Sequence, residues 1–346
     1  MPCDRALDLP PASVIFGTAG FSLGAGELDF FASADPAGFI LVKRNCANPA
    51  QVKALTAELR ACVGREDAPV LIDQEGGRIA RMAPPMWDAR PAAQRFGDLW
   101  RNDSGAALKA ARLNAQLIAS DLRAVGISAD CIPVLDVPAP GAHAVIGDRA
   151  FASDPEVVAA LGGAVIAGLA AGGIAAVIKH LPGHGRARAD SHTGLPVVEA
   201  SRPELEDVDF APFRALNFAR WGMTAHVVYS AIDPARPAST SAVVIQEAVR
   251  GAIGFDGLLL SDDIGMGALT GGYGARATAC LDAGCDIVLH CSGDLAEMKS
   301  VAEVARPLGG SSFARWQRAI AALPAAGPFD TAAAAAQLAI LLKEVA

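Results

Sequence analysis

Short apolar runs that end in a polar residue recur along the chain. They fall at 13–20 (SVIFGTAG), 38–45 (GFILVKRN), 68–77 (APVLIDQEGG), 127–137 (ISADCIPVLDV), 174–180 (IAAVIKH), 221–229 (WGMTAHVVY), 257–263 (GLLLSDD) and 285–292 (CDIVLHCS). Their hydrophobicity is continuous rather than alternating, which suits parallel strands covered on both faces. Between them, apolar residues at helical spacing predict helices over 50–62, 105–125, 154–171, 203–218, 241–252 and 273–283. Asp154-Pro155 and Ser201-Arg202-Pro203 read as helix starts, and the alanine-rich tail 330–345 as a strong helix former. Alternating strand–helix units predict an α/β fold, a (β/α)8 TIM-type barrel. No composition shift marks a second domain, so residues 1–346 are expected to form one barrel with C-terminal helices. An open doubly wound sheet is the alternative. Irregularity is expected around the first two strands and in the long loops 78–104 and 181–202.

From Val157 to Ile178 no residue is charged, a run long enough to span a bilayer. Glycines punctuate it, and Gly172-Gly173 reads as a helix C-cap, so it divides into a helix and a buried strand. The N-terminus, MPCDRALDLPPAS, lacks a basic region followed by an apolar core, so no secretory signal is expected.

Composition changes the picture modestly. A 52% hydrophobic content and a mean hydropathy of +0.32 promise a sizeable core. Aromatics at 5% and a net charge of -8 argue against a nucleic-acid binder. The 7 cysteines show no C-x-x-C spacing and read as small buried hydrophobes in a reducing, cytoplasmic setting.

The polar residues that end the strands matter more. Asp73, Asp136, Lys179-His180, His226, Asp262-Asp263 and His290 each fall at or near the C-terminal end of a predicted strand. In a barrel those ends converge on one mouth, where active sites are built. Any one Asp could instead cap the following helix, but so many coincidences do not suit caps alone.

Three histidines crowd KHLPGHGRARADSH (179–192). His180 and His184 are four apart, yet Pro182 and two glycines forbid the helix of a zinc-protease motif. His180, His192 and Asp262 could still chelate, but no metal is expected. GHGRAR lacks the lysine and hydroxyl of a phosphate-binding loop. Asp190-Ser191-His192 reads either as an exposed Asx turn or as a carboxylate that orients an imidazole for proton transfer. Adjacent Asp262 and Asp263 point to opposite sides of a strand, so one can face the mouth while the other contacts the surrounding structure. A carboxylate so presented can form a glycosyl ester at an anomeric carbon.

DQEGGRIAR (73–81), VIGDRAF (145–151), KHLPGHGRARADSH and GFDGLLLSDDIGM together resemble glycoside hydrolase family 3. More narrowly, they are similar to the bacterial β-N-acetylglucosaminidases of peptidoglycan recycling. The resemblance implies a cofactor-free retaining hydrolase acting in the cytoplasm on a terminal β-linked N-acetylglucosamine. Its small carbohydrate substrate would be a muropeptide fragment, N-acetylglucosamine linked to anhydro-N-acetylmuramic acid. Asp262 matches the nucleophile, His192 the acid/base and Asp190 its partner. Asp73, Arg81, Arg149, Lys179 and His180 match sugar-holding positions. The segment from Pro182 to Arg188 would form a hinge-like arm carrying the dyad. No nucleic acid or membrane partner is implied, and the chain is expected as a monomer or weak homo-oligomer. A glycoside phosphorylase using the same residues and a catalytically silent muropeptide-binding barrel are the rival readings. Leu181, Ile264 and Gly265 depart from the family's usual KHFPGHG and SDDLSM wording, leaving the reactive positions untouched.

Overall fold

A computed structural model describes residues 10–343. Cys3, the first nine residues of the stretch read for a targeting signal, and the end of the 330–345 tail lie outside the described residues. The barrel strands are β1 (Ala12–Phe16), β2 (Pro36–Leu41), β3 (Val70–Ile72), β4 (Ala129–Asp130), β5 (Ala175–Leu181), β6 (Trp221–Thr224), β7 (Leu258–Asp263) and β8 (Ile287–His290). Each pairs in parallel with its sequence neighbours, and β1 pairs with β8 to close the barrel. All the predicted runs supply a strand, and the open-sheet alternative is excluded by that closure.

Alternation along each strand builds two cores. Ile15, Ile40, Leu71, Val177, Trp221, Leu258, Leu260 and Ile287 fill the barrel interior. Their neighbours Phe16, Phe39, Val70, Ile178, Leu259 and Val288 pack outward under the helices. Both faces are therefore dry, which is why the runs read as uninterrupted hydrophobics. The helix Gly310–Ala321, which the periodicity did not predict, adds Trp316, Ala319 and Ile320 to the interior cluster. Its Arg315 reaches Asp256 and Asp286, which precede β7 and β8, so this helix closes the floor and leaves the opposite mouth open.

The charge-free run divides as expected. Asp154 caps the helix Pro155–Ala171, and Gly173 turns the chain in the left-handed region (φ 84°) into β5. No helix among the described residues is long and apolar enough to cross a membrane.

Three expectations need correction, while the expected irregularity at the first strands is present. Strand β4 is paired over only two residues, because Pro133 lacks the N–H a ladder needs; a lone bridge from Val134 to Lys179 continues it. The helix expected over 203–218 is broken into Arg202–Glu204, a wide-turned stretch Leu205–Asp209, and Ala211–Ala215. Pro212 cannot supply the N–H that a continuous helix would use. The 241–252 helix is likewise wound with wide turns over Val244–Ala252. Strands β1 and β2 pair in parallel around the helix Ala25–Ala34, with one register shift between Ala12 and Ile15; such shifts also interrupt β5 and β7.

Candidate active site

The mouth of the barrel holds a cavity of about 170 Å³. Its wall brings together Asp73, Arg81, Arg149, Lys179, His180, His192 and Asp262. Asp190 stands directly behind His192: its Oδ1 accepts the His192 backbone N–H at 2.9 Å and faces the ring Nδ1 at 2.7 Å. The sequence-predicted residues are thus assembled around one space.

One side of the cavity is an ionic lattice. Arg81 donates to Asp73 Oδ2 at 3.0 Å, and Lys179 Nζ to Asp73 Oδ1 at 2.8 Å. Lys179 Nζ also lies 2.7 Å from Glu75 Oε1, and Arg149 grips both oxygens of Glu75 at 2.8 Å. Charges alternate along Arg81, Asp73, Lys179, Glu75 and Arg149, leaving one cation in excess. Burial alone would push the carboxyls up. Lys179 with Arg81 reverses this for Asp73, and Lys179 with Arg149 does so for Glu75, so both are held below the ordinary carboxylate range. Burial would likewise lower Lys179, but Asp73 and Glu75 raise it. The lattice therefore stays charged and fixed before any ligand arrives.

Glu75 lines the cavity and joins this lattice, yet sequence reasoning passed over it. It lies within the quoted DQEGG, two positions past Asp73, the spacing that puts two extended residues on one side. That spacing was the available signal.

Beneath the lattice, Asp136 is fully buried and organises the root of the 179–192 segment. It accepts from the His180 and His184 backbone N–H groups at 3.2 and 2.7 Å, and its Oδ2 lies 2.7 Å from His180 Nδ1. Burial would raise its pKa; the His180 contact instead brings it down to about 2. Burial, reinforced by the His180 charge, lowers His184 to about 4. Gly185 lies so close to Val137 that a Cβ would meet its carbonyl oxygen at 2.0 Å. Arg186 pairs with the buried Asp209 at 2.6 Å, and Tyr229 donates to the Gly183 carbonyl at 2.7 Å. The expected arm from Pro182 to Arg188 is therefore packed through Ala187, and exposure begins only at Arg188 and Ala189. Beyond it lies the short tip that carries Asp190 and the exposed His192.

The neighbouring carboxylates on β7 divide their tasks. Asp262 Oδ1 accepts the Asp263 N–H at 2.8 Å, and its side chain faces the cavity. Asp263 also touches the cavity, but its Oδ1 accepts from Gly265 and Cys291 N–H groups at 2.9 and 3.1 Å, stitching β7 to β8. His226 Nε2 lies 3.0 Å from the Asp263 carbonyl oxygen, which can only accept, so Nε2 carries the proton. Its Nδ1 then accepts from Ser239 Oγ at 2.6 Å. Burial holds His226 below the ordinary histidine range, which keeps that arrangement neutral. Asp136, His226 and His290 are buried supports outside the cavity wall, while the other strand-end residues reach it. None caps a helix; side-chain caps come instead from residues such as Asn48, Asp103, Asp154, Ser201, Asp294 and Asp330.

A fixed charged lattice, a carboxylate and a carboxylate-tethered imidazole around one small cavity can bind a hydroxyl-rich ring, attack it and exchange a proton. Comparisons with known proteins give the family. The model of the glycosyl hydrolase family 3 N terminal domain matches residues 30–314. A beta-hexosaminidase of Xanthomonas campestris pv. campestris is 42% identical over 308 residues, covering 87% of this chain and 90% of that protein. One from Stenotrophomonas maltophilia is 41% identical over 288 residues, covering 82% and 84%. The crystal structure of NagZ from Neisseria gonorrhoeae in complex with N-trifluoroacetyl-D-glucosamine superposes with a TM-score of 0.85 at 35% identity, covering 96% of this chain and 99% of that one.

Proposed function

The chain belongs to glycosyl hydrolase family 3 and is a glycoside hydrolase of the β-N-acetylhexosaminidase type; on that footing we propose retaining removal of a terminal β-linked N-acetylglucosamine through a glycosyl ester on Asp262. The observation that carries this reading is the shared cavity: Asp262 and the Asp190-tethered His192 line or back the same space. In the first step Asp262 attacks the anomeric carbon while protonated His192 gives its Nε2 proton to the departing oxygen. In the second, neutral His192 takes a proton from water, which displaces Asp262 and regenerates the free carboxylate. Asp190, accepting from Nδ1–H, fixes the tautomer that leaves Nε2 free, as a carboxylate does for the histidine of a hydrolytic triad. Partial burial would raise Asp190, but the His192 backbone and ring hydrogen bonds hold it below its ordinary value, so it remains an acceptor.

Asp73, Arg81, Arg149, Lys179 and His180 hold the sugar's hydroxyls and acetamido group in this reading, with Glu75 keeping Lys179 and Arg149 in place. The cavity is well below the roughly 300–1,000 Å³ of a site for a drug-sized ligand, which suits one terminal ring. The natural substrate is proposed to be N-acetylglucosaminyl-anhydro-N-acetylmuramic acid, with or without its peptide, met in the cytoplasm by residues 1–346 acting as one catalytic domain. Incubation with that disaccharide, in phosphate and in phosphate-free buffer, tests the reading. Free β-N-acetylglucosamine at first turnover in both buffers is expected. Sugar 1-phosphate would convert the assignment to a phosphorylase, and no cleavage would leave a binding barrel.

A further inference from the structure

The loop after β7 carries two glycines, Gly265 and Gly267, between the proposed nucleophile and the proposed acid/base, and Gly267 acquires a role in three dimensions. After β7 the chain turns tightly: Met266 N–H donates to the Asp263 carbonyl at 3.1 Å and Gly265 N–H to the Asp263 carboxylate. The next two N–H groups leave the turn and reach the acid/base tip. Gly267 donates to the His192 carbonyl at 3.2 Å, and Ala268 to the Ser191 carbonyl at 3.0 Å. On its other side Ser191, itself buried, places Oγ 3.3 Å from His184 Nε2. The tip is thus clasped between the packed root of its own segment and the loop that continues from Asp262.

Position 267 sets how close the two loops come. A Cβ there would lie 2.7 Å from the His192 carbonyl oxygen and 3.4 Å from its carbonyl carbon. These are main-chain atoms, so no side-chain rotation relieves the contact. The glycine is not in the left-handed region, so it is space and not backbone conformation that excludes a side chain. We infer that Gly267 is a positioning residue for the acid/base: by admitting the His192 carbonyl onto its N–H, it sets the imidazole in register with Asp262. This rests on the reading of His192 as proton donor.

The test is kcat/KM for aryl N-acetylglucosaminides whose leaving groups range from dinitrophenol to phenol. Proton donation matters for poor leaving groups and little for good ones, whereas general damage lowers both alike. Gly267→Ala is expected to lose roughly tenfold on the phenyl glycoside, a fraction of what a general acid supplies, and no more than about twofold on the dinitrophenyl glycoside. Ser191→Ala, which removes one clasp contact without touching the main chain, is expected to show the same pattern at smaller amplitude. It also serves if Gly267→Ala does not fold. Equal losses across leaving groups, or none, in the folded variants overturn the inference. His192→Ala measured in parallel separates the two claims. If it too shows no dependence on leaving group, the proton-donor reading itself falls, and the clasp with it.

Discussion

The two flanks of the cavity are built on opposite principles. The proposed sugar-holding flank is a lattice of largely buried charges rooted at strand ends, with the Lys179 side chain only 2% exposed. The proposed acid/base flank is a loop tip whose His192 side chain is 64% exposed and whose tethers are one carboxylate and a few main-chain hydrogen bonds. A lattice of buried opposite charges tolerates no missing member, because each ion left alone pays its full desolvation cost. A proton donor must meet the leaving group and then water, so it stands in solvent and is positioned locally. Damage to the first flank should therefore appear as lost stability and sugar affinity. Damage to the second should appear as lost turnover in a stable protein.

The strongest challenge to that division is Asp262→Ala, which belongs to neither flank. It is expected to lower kcat roughly 10⁴-fold or more, as removal of a nucleophile does elsewhere, with an unfolding midpoint close to that of the parent. Lys179→Met leaves Asp73 and Glu75 facing each other without their shared cation. Urea unfolding is expected to show a loss of about 3–5 kcal/mol, and KM for any residual activity should rise. His192→Ala is expected to cost roughly 10²- to 10³-fold in kcat for a disaccharide with no resolved change in urea stability. Comparable destabilisation by the last two substitutions would erase the contrast between the flanks.

The smallest effect is a pH dependence at the root of the loop. Folded His184 stays neutral until pH falls to about 4, whereas in the unfolded chain it takes up its proton near the ordinary 6.5. Its contribution is therefore fully present above that ordinary value and is lost as pH falls between the two. His184→Gln removes this titration. The stability difference between parent and variant should shift against the parent by up to about 3 kcal/mol between pH 7 and 4, measured by urea unfolding across that range. A difference that does not change with pH would mean that His184 is not the neutral buried group described.

Legibility differed between the flanks for the same physical reason. Strands dry on both faces leave a continuous hydrophobic signature, and their polar ends stand out against it. Asp73, Lys179, His180 and Asp262 were readable on that basis, and the barrel with them. Arg81, Arg149, Asp190 and His192 sit on loops, where periodicity is silent, and their assignment drew on resemblance to family motifs. Glu75 was missed because its role depends on Lys179 and Arg149, which come from elsewhere in the chain. The segment Pro182–Ala187, expected from the resemblance as a hinge-like arm, is packed in this structure, and Gly185 permits its close approach to Val137. Nothing along the sequence announces that Gly267 meets His192.

The central claim is that Asp262 forms the covalent bond to the sugar while His192 serves the same bond from across the cavity. Incubation with a fluorinated N-acetylglucosaminyl fluoride, followed by proteolysis and mass spectrometry, tests it most directly. The account predicts one added sugar on the peptide containing Asp262, and none in Asp262→Ala. A sugar attached elsewhere, or inactivation of the parent without any adduct on that peptide, would contradict it.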